Sequence, residues 1–424
     1  MLDIKFIREN KDIVQEGAKK KQIDIDISAL IALDDNRLET LKEVEDIRSE
    51  VNRVSKDIAR DQDPALKIQL IEEMRTVKED LKTKEQKLKE VMENWQKMML
   101  SVPNVPDMSV PEGKSDAENQ EVKAWGDKPS FGFEAKDQLA LMKDMDLADF
   151  ERGAKVAGFR GYFLKGDGAL LAFALWQFFM DSLMTKGFTP MIVPSLIKKP
   201  ALVGTGYIPG GEEDLYKTQD GDYLAGTGEV ATMSYYANEV LDKTKLPIKF
   251  ASFSTCFRRE AGAHGKDLKG FFRVHEFYKL EQVILCEASH EESVKFHEEI
   301  TKNVEDLLQA LKLPYHIVAN CGGDLGLGQV KKYDIEVWVP SLNKYRETHS
   351  SSYFHDFQTR RLNIRYKDAE GKLKYAHSLN NTAIATPRII EAILENFQQA
   401  DGSVQIPDVL RKYMGGREFI KKIV

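Results

Sequence analysis

Cysteine is scarce, three residues in 424. Cys256, Cys286 and Cys321 are odd in number, far apart and never paired as C-x-x-C. Neither a disulfide framework nor a zinc knuckle is indicated, and a reducing, cytoplasmic compartment fits. A basic surplus is also missing: 61 lysines and arginines face 68 acids, a formal net charge of −7. The chain as a whole is therefore no electrostatic binder of nucleic acid, and any contact with RNA falls to local patches. Long apolar runs are absent too. The longest, residues 169–180, is interrupted by Gln177 and falls short of the ~20 residues that span a bilayer. Residues 1–10 carry no apolar leader core, so neither membrane insertion nor export is expected.

Glycine and proline are missing locally. Residues 38–97 hold no glycine and only Pro64, while apolar residues recur at helical spacing between charges. Val44, Ile47, Val51, Val54 and Ile58 step by three and four; Met74, Val77, Leu81, Leu88, Val91, Trp95 and Met98 resume the pattern, with Lys84 as the one polar intruder. Between the runs lies Asp61-Gln62-Asp63-Pro64, where aspartate favours a turn and proline stops a helix. The spacing predicts two long helices folded back antiparallel, each reaching roughly 50 Å at ~1.5 Å per residue. Such a hairpin buries one seam and solvates the rest, which gives the high charged fraction, 30%, a place to be. Before it, residues 4–32 read as a short helix and a connector containing Lys19, Lys20 and Lys21. After it, Val102-Pro103-Asn104-Val105-Pro106 opens a linker, which sets a domain boundary.

The remaining three-quarters alternates helix and strand signals. A helix over 170–186 stops at Gly187, an extended segment runs 188–193, and a turn sits at Asp220-Gly221-Asp222. Strand candidates at 248–260 and 271–285 flank a loop over 261–270, a hairpin with an enlarged loop. A helix over 291–311, strands at 334–339, 345–350 and 361–366, and a helix over 387–398 follow. Hairpin-joined strands with irregularly placed helices favour an α+β domain on an antiparallel sheet.

Some strand positions carry charge where packing wants apolar residues. By parity, Arg258 and Glu260 share a face, as do Arg273, Phe277 and Glu281. Two arginines, a ring and two carboxylates make a binding floor, since arginine forks onto phosphate and a ring stacks on a base. Spacing alone serves equally well for a solvated face laced by cross-strand ion pairs. Glu347-Thr348-His349-Ser350-Ser351-Ser352 could hold a hard cation on a polyphosphate, although a serine-rich turn is the plainer reading. Thr227-Gly228-Glu229 could surround an ammonium group but is uninformative alone, and Arg388 alone is an ordinary surface charge. His264, His275 and His349 lack ligand-like spacing, so no protein metal site is assigned.

Taken in order, these pieces resemble the three motifs of class II aminoacyl-tRNA synthetases, and the N-terminal hairpin resembles that of the bacterial-type seryl-tRNA synthetases. The resemblance covers essentially the whole chain. Residues 187–194 resemble motif 1, which in the family forms the dimer interface, and residues 257–260 with their loop and returning strand resemble motif 2. Residues 379–388 resemble motif 3, with Ala385 and Pro387 in place of the usual glycines; proline at a helix start is benign. The implied fold is a class II synthetase-like antiparallel sheet with flanking helices over 107–424. An N-terminal tRNA-binding domain, 1–106, would carry a two-helix coiled-coil arm over about 27–99.

The resemblance also implies roles. Arg258 would clamp the α-phosphate of ATP, Glu260 take the adenine amino group, and Phe277 stack on adenine with Arg388 on its other face, reaching the γ-phosphate. Arg273 would meet the β- and γ-phosphates, and Arg258, Glu260, Arg273 and Arg388 form the implied catalytic set. Glu347 and Ser350 would hold Mg2+ through ATP, and Arg259, Val274, Thr348 and His349 would complete the ATP site. For serine, Thr227 and Glu229 would receive the ammonium, Glu281 and Thr382 the hydroxyl, with Gly228, Asn380 and Arg258 lining the pocket. A homodimer charging serine tRNA, and selenocysteine tRNA as a further partner, is what the family would lead one to expect.

Overall fold

Aspartate opens the helices of the N-terminal unit. The side chain of Asp3 accepts from the amide of Lys5 at the start of α1 (Ile4–Glu9), which is followed by α2 (Lys11–Lys20). Two long helices come next, α3 (Ile27–Arg60, 34 residues) and α4 (Pro64–Ser101, 38 residues), giving lengths of roughly 51 and 57 Å at 1.5 Å per residue. Asp63 caps α4 through the amide of Ala65, with Pro64 in the first turn, where a missing N–H costs nothing. The computed structural model describes residues 1–60, 62–261 and 270–422, so Asp61, His264 and most of the expected 261–270 loop lie outside the described residues.

The predicted seam is present, with Val44, Val54, Met74 and Val91 buried between the two arms. Lys84 also has its explanation: its ammonium pairs with Glu43 across the hairpin at 2.8 Å, and Arg48 pairs with Glu85 at 2.7 Å. The base of the arm is anchored by Leu2, Ile7, Val14, Ile27, Leu30, Met99 and Val102, which form their own apolar cluster. Contacts divide the chain into two compact units, Met1–Lys19 with Ile23–Val105, and Lys20–Gln22 with Pro106–Val424.

The second unit is built on eight strands: β1 (Gln120–Trp125), β2 (Thr189–Ile192), β3 (Ile248–Phe257), β4 (Glu276–Cys286), β5 (Tyr315–Ala319), β6 (Lys331–Val339), β7 (Lys344–His355) and β8 (His377–Ala385). Their order is β1-β5-β6-β7-β8-β4-β3-β2, antiparallel throughout except for the parallel edge pair β2 and β3. Helices α5 (Asp167–Thr185), α6 (Gly228–Ser234), α7 (His290–Leu311) and α8 (Thr386–Asn396) accompany the sheet. The buried stripe of α7, Phe296, Ile300, Val304, Leu307 and Leu311, joins the main core with Leu171, Leu175 and Phe179 of α5 and Ile389, Ile390 and Ile393 of α8. Built on the 169–180 run, α5 extends to 19 residues, long and apolar enough to cross a membrane, yet its inner side is part of this core.

Three expectations need correction. The 248–260 and 271–285 strands are shorter, because pairing ends at Phe257 opposite Glu276; Glu260 takes a φ of +54°, outside the range of a strand. Arg258, Glu260 and Arg273 therefore lie beyond the ladder. Residues 361 and 362 belong to a short helix, Phe357–Leu362, closed by Asn363 at φ +55°, and only Arg365–Lys367 is extended. Residues 347–352 are no turn: they run through the middle of β7.

Candidate active site

Two β-bulges assemble the polar face. Thr348 is an extra residue between the pairs His349–Ile335 and Glu347–Glu336, so Glu347 and Ser350, three apart, come to share a face; regular alternation would have separated them. Ala383 is likewise extra between the pairs Leu280–Ile384 and Glu281–Thr382. Glu281 thus sits between Thr382 on β8 and Ser252 on β3, with Asn380 two residues along the same side of β8. His349, paired with the core residue Ile335, is buried, and burial together with the Arg388 charge pushes its pKa down to about 3.

The buried end of this face gathers hydrogen-bonded polar side chains around two carboxylates. Thr227, which follows the short strand Tyr223–Leu224, caps α6, and its hydroxyl donates to Glu281 Oε2 at 2.5 Å. The same oxygen accepts from the amide of Glu229 at 3.0 Å. The other, Oε1, accepts from the Lys279 ammonium at 3.0 Å and from the Asn380 amide at 3.3 Å. Gly228 leaves little room, since a Cβ there would lie 3.0 Å from Ser254 Oγ. Glu229, almost fully buried, accepts from the Tyr207 hydroxyl at 3.0 Å and from the Gln358 amide at 2.6 Å. Burial and the neighbouring Glu281 charge, opposed by those hydrogen bonds, push its pKa up to about 7.

The open end carries cations and rings. The Arg258 guanidinium lies 5.5 Å from the centre of the Phe277 ring and donates to the carbonyl of Gly226 at 3.2 Å. Arg388 donates to the carbonyl of Glu347 at 2.9 Å and lies 3.3 Å from its carboxylate. Burial would raise the pKa of Glu347, but Arg388, Lys332 and Arg258 outweigh it and hold it near 2. Arg273 pairs with Glu260 at 2.9 Å. The ring that Arg388 covers is Phe272, at 4.7 Å, and Arg346 lies 3.8 Å from the same ring. Arg259 is exposed and donates to the Glu213 carbonyl, and Val274 is buried in the core. Sequence reasoning missed Tyr207, Gln358, Lys279, Phe272 and Arg346. The last three had a legible signal, flanking Arg273, Glu281 and Glu347 directly or by one residue.

A floor of arginines and rings thus lies beside two buried carboxylates. The protein called serine–tRNA ligase in Deinococcus radiodurans is 47% identical over 421 residues, 99% of each chain. The chain belongs to the seryl-tRNA synthetase family. The family's N-terminal domain model matches residues 1–106, and the tRNA synthetase class II core domain (G, H, P, S and T) matches residues 216–397. A serine–tRNA ligase of Thermodesulfovibrio yellowstonii is 42% identical over 98% of this chain and 99% of its own. Among solved structures, the Pyrococcus horikoshii seryl-tRNA synthetase complexed with ATP aligns over all of both chains with a TM-score of 0.89 at 37% identity. The cytoplasmic enzyme of Naegleria fowleri, in complex with AMP, gives 0.86 at 32%, covering 100% of this chain and 99% of that one. This chain is accordingly an enzyme, a class II serine–tRNA ligase.

Proposed function

We propose that the buried pocket takes L-serine and the arginine-rich floor takes ATP, and that the two react to seryl-adenylate before the seryl group passes to the 3′ end of serine tRNA. The observation that carries this reading is the Glu281 carboxylate, buried and held by four donors beside Thr382. The serine hydroxyl enters by displacing the longest of these, the Asn380 amide. Alanine cannot replace that bond, and a site built around a hydroxyl rejects its deoxy analogue by roughly 10⁴ to 10⁵. Glu229 receives the ammonium.

No side chain need act as nucleophile. The serine carboxylate attacks the α-phosphorus and pyrophosphate leaves. Arg258 neutralises charge on the α-phosphate, while Arg273 and Arg388 meet the outer phosphates. Glu260 faces the adenine amino group, and Phe277 its ring. In this structure Glu260 and Arg273 hold each other, so ATP has to separate them or bind across the pair. Glu347 and Ser350 offer an ionised carboxylate and a hydroxyl on one face, a hard-oxygen pair that fits Mg2+ entering with ATP. The ion would supply charge neutralisation on the phosphates.

The arm would reach tRNA by shape and backbone contact, which asks for length rather than a basic protein. Selenocysteine tRNA, sharing the acceptor chemistry, belongs to the same proposal. Dimerisation through β2 and α5 is supported by Ile192, 87% exposed on an edge strand, and by exposed Phe173 and Met184. Buried, unbridged cysteines suit the cytoplasm. Exchange of labelled pyrophosphate into ATP tests the core of the reading: it should depend on serine, and Glu281→Ala should erase the preference for serine over alanine. An unchanged preference would remove Glu281 from the pocket.

A further inference from the structure

We propose that Lys279 is the positioning residue that makes Glu281 a reader of the hydroxyl rather than a second receptor for the ammonium. The inference rests on assigning Thr227, Glu229 and Glu281 to the amino-acid pocket.

The pocket holds two carboxylates, and a serine brings a single ammonium. Left to electrostatics, both acids would compete for it, and an acid drawn to the ammonium does not select for a hydroxyl. Lys279 breaks the symmetry. It stands on β4 two residues before Glu281, on the same face, with its side chain 6% exposed. Its ammonium donates to Glu281 Oε1 at 3.0 Å and to the Thr227 hydroxyl at 2.7 Å, and Thr227 in turn donates to Glu281 Oε2. Glu281 therefore carries a resident counter-charge and is fixed at both oxygens. The hydrogen-bond partners of Glu229, Tyr207 and Gln358, are neutral, so its charge remains for the substrate. The other titratable groups around the pair are Cys256 on β3 and Arg258, which looks toward the nucleotide. A lysine buried this deeply is costly unless paired, and the pairing found here is with a substrate-reading acid.

The test compares Lys279→Met and Lys279→Gln with Glu281→Ala and the parent, using full-length protein and serine- and alanine-dependent pyrophosphate exchange, with kcat and KM measured separately for each amino acid and for ATP. Lys279→Met should lower the serine-to-alanine ratio of kcat/KM at least a hundredfold while the KM for ATP changes less than about threefold. The loss should fall on serine-dependent exchange, with alanine-dependent exchange close to the parent, since only the reading of the hydroxyl depends on Lys279. Lys279→Gln, which keeps a donor without the charge, should show a smaller loss of ratio, and it carries the comparison if the Met variant does not fold. A folded Lys279 variant with the parent ratio, in a series where Glu281→Ala loses discrimination, overturns the proposal and leaves the pocket reading intact. Retained discrimination in Glu281→Ala overturns the pocket reading itself.

Discussion

Two carboxylates share one buried pocket, and their surroundings push them to different tasks. Glu229, with neutral partners, is held up at about 7, so in the free protein it is half protonated at neutral pH. Binding an ammonium requires its charge. The apparent affinity for serine should therefore fall about tenfold per pH unit below 7, where a proton must leave before the amino acid binds. Titration calorimetry between pH 5.5 and 8 checks this, and Glu229→Gln should bind serine weakly without that slope. The sign for stability is opposite: a carboxyl raised above its unfolded value of 4.5 favours folding when protonated, so its contribution fades as pH rises from about 4.5 through 7. Residue types singled out Arg258 and Glu281 as charges at strand positions, fit for a binding floor or a solvated face alike, whereas Arg388 alone read as a surface charge and entered the site only through the resemblance to motif 3. Tyr207 and Gln358 were not legible, since each is an ordinary residue far in sequence from the Glu229 it holds.

At the scale of elements, long-range pairing decides what local pattern cannot. Period-two alternation puts Glu347 and Ser350 on opposite faces, and only the bulge at Thr348 reunites them. A bulge depends on the partner strand, so no reading of β7 alone finds it. The same limit explains the overlong strands around motif 2, where Glu260 leaves the β region. The arm, by contrast, was legible almost residue by residue, because its contacts follow from a local 3–4 spacing, and even Lys84 marked a real cross-arm pair. Val54 lies fully buried in that seam. Val54→Asp, an unpaired charge in an apolar contact, should open the distal arm. Circular dichroism should show lost helix, tRNA charging should fall at least tenfold, and serine-dependent pyrophosphate exchange without tRNA should stay near the parent rate. Equal loss of both activities would mean the arm serves the catalytic unit's fold instead.

For the whole molecule, the sheet and the helix α7 carry buried histidines that are kept neutral. Burial lowers His297 to about 4 and His355 to about 3, the latter helped by His377 and His290; His377 is lowered too, and His349 sits near 3. The unfolded chain takes up these protons first, near 6.5. Stability is thus full above that value and is lost as pH falls below it, by up to about 1.4 kcal/mol per pH unit for each such group. Denaturant midpoints between pH 7.5 and 5 should drop accordingly, and His355→Gln should flatten the slope. Ile192→Lys should convert the proposed dimer to monomers in sedimentation velocity, by placing charge on the exposed edge. The measurement that bears most directly on the account is exchange of labelled pyrophosphate into ATP with Mg2+, no tRNA, and serine, alanine, threonine or glycine supplied singly. Exchange with serine, and at least a thousandfold less with alanine, is the predicted result. No exchange with any of the four from folded protein, or equal exchange with alanine, would contradict it.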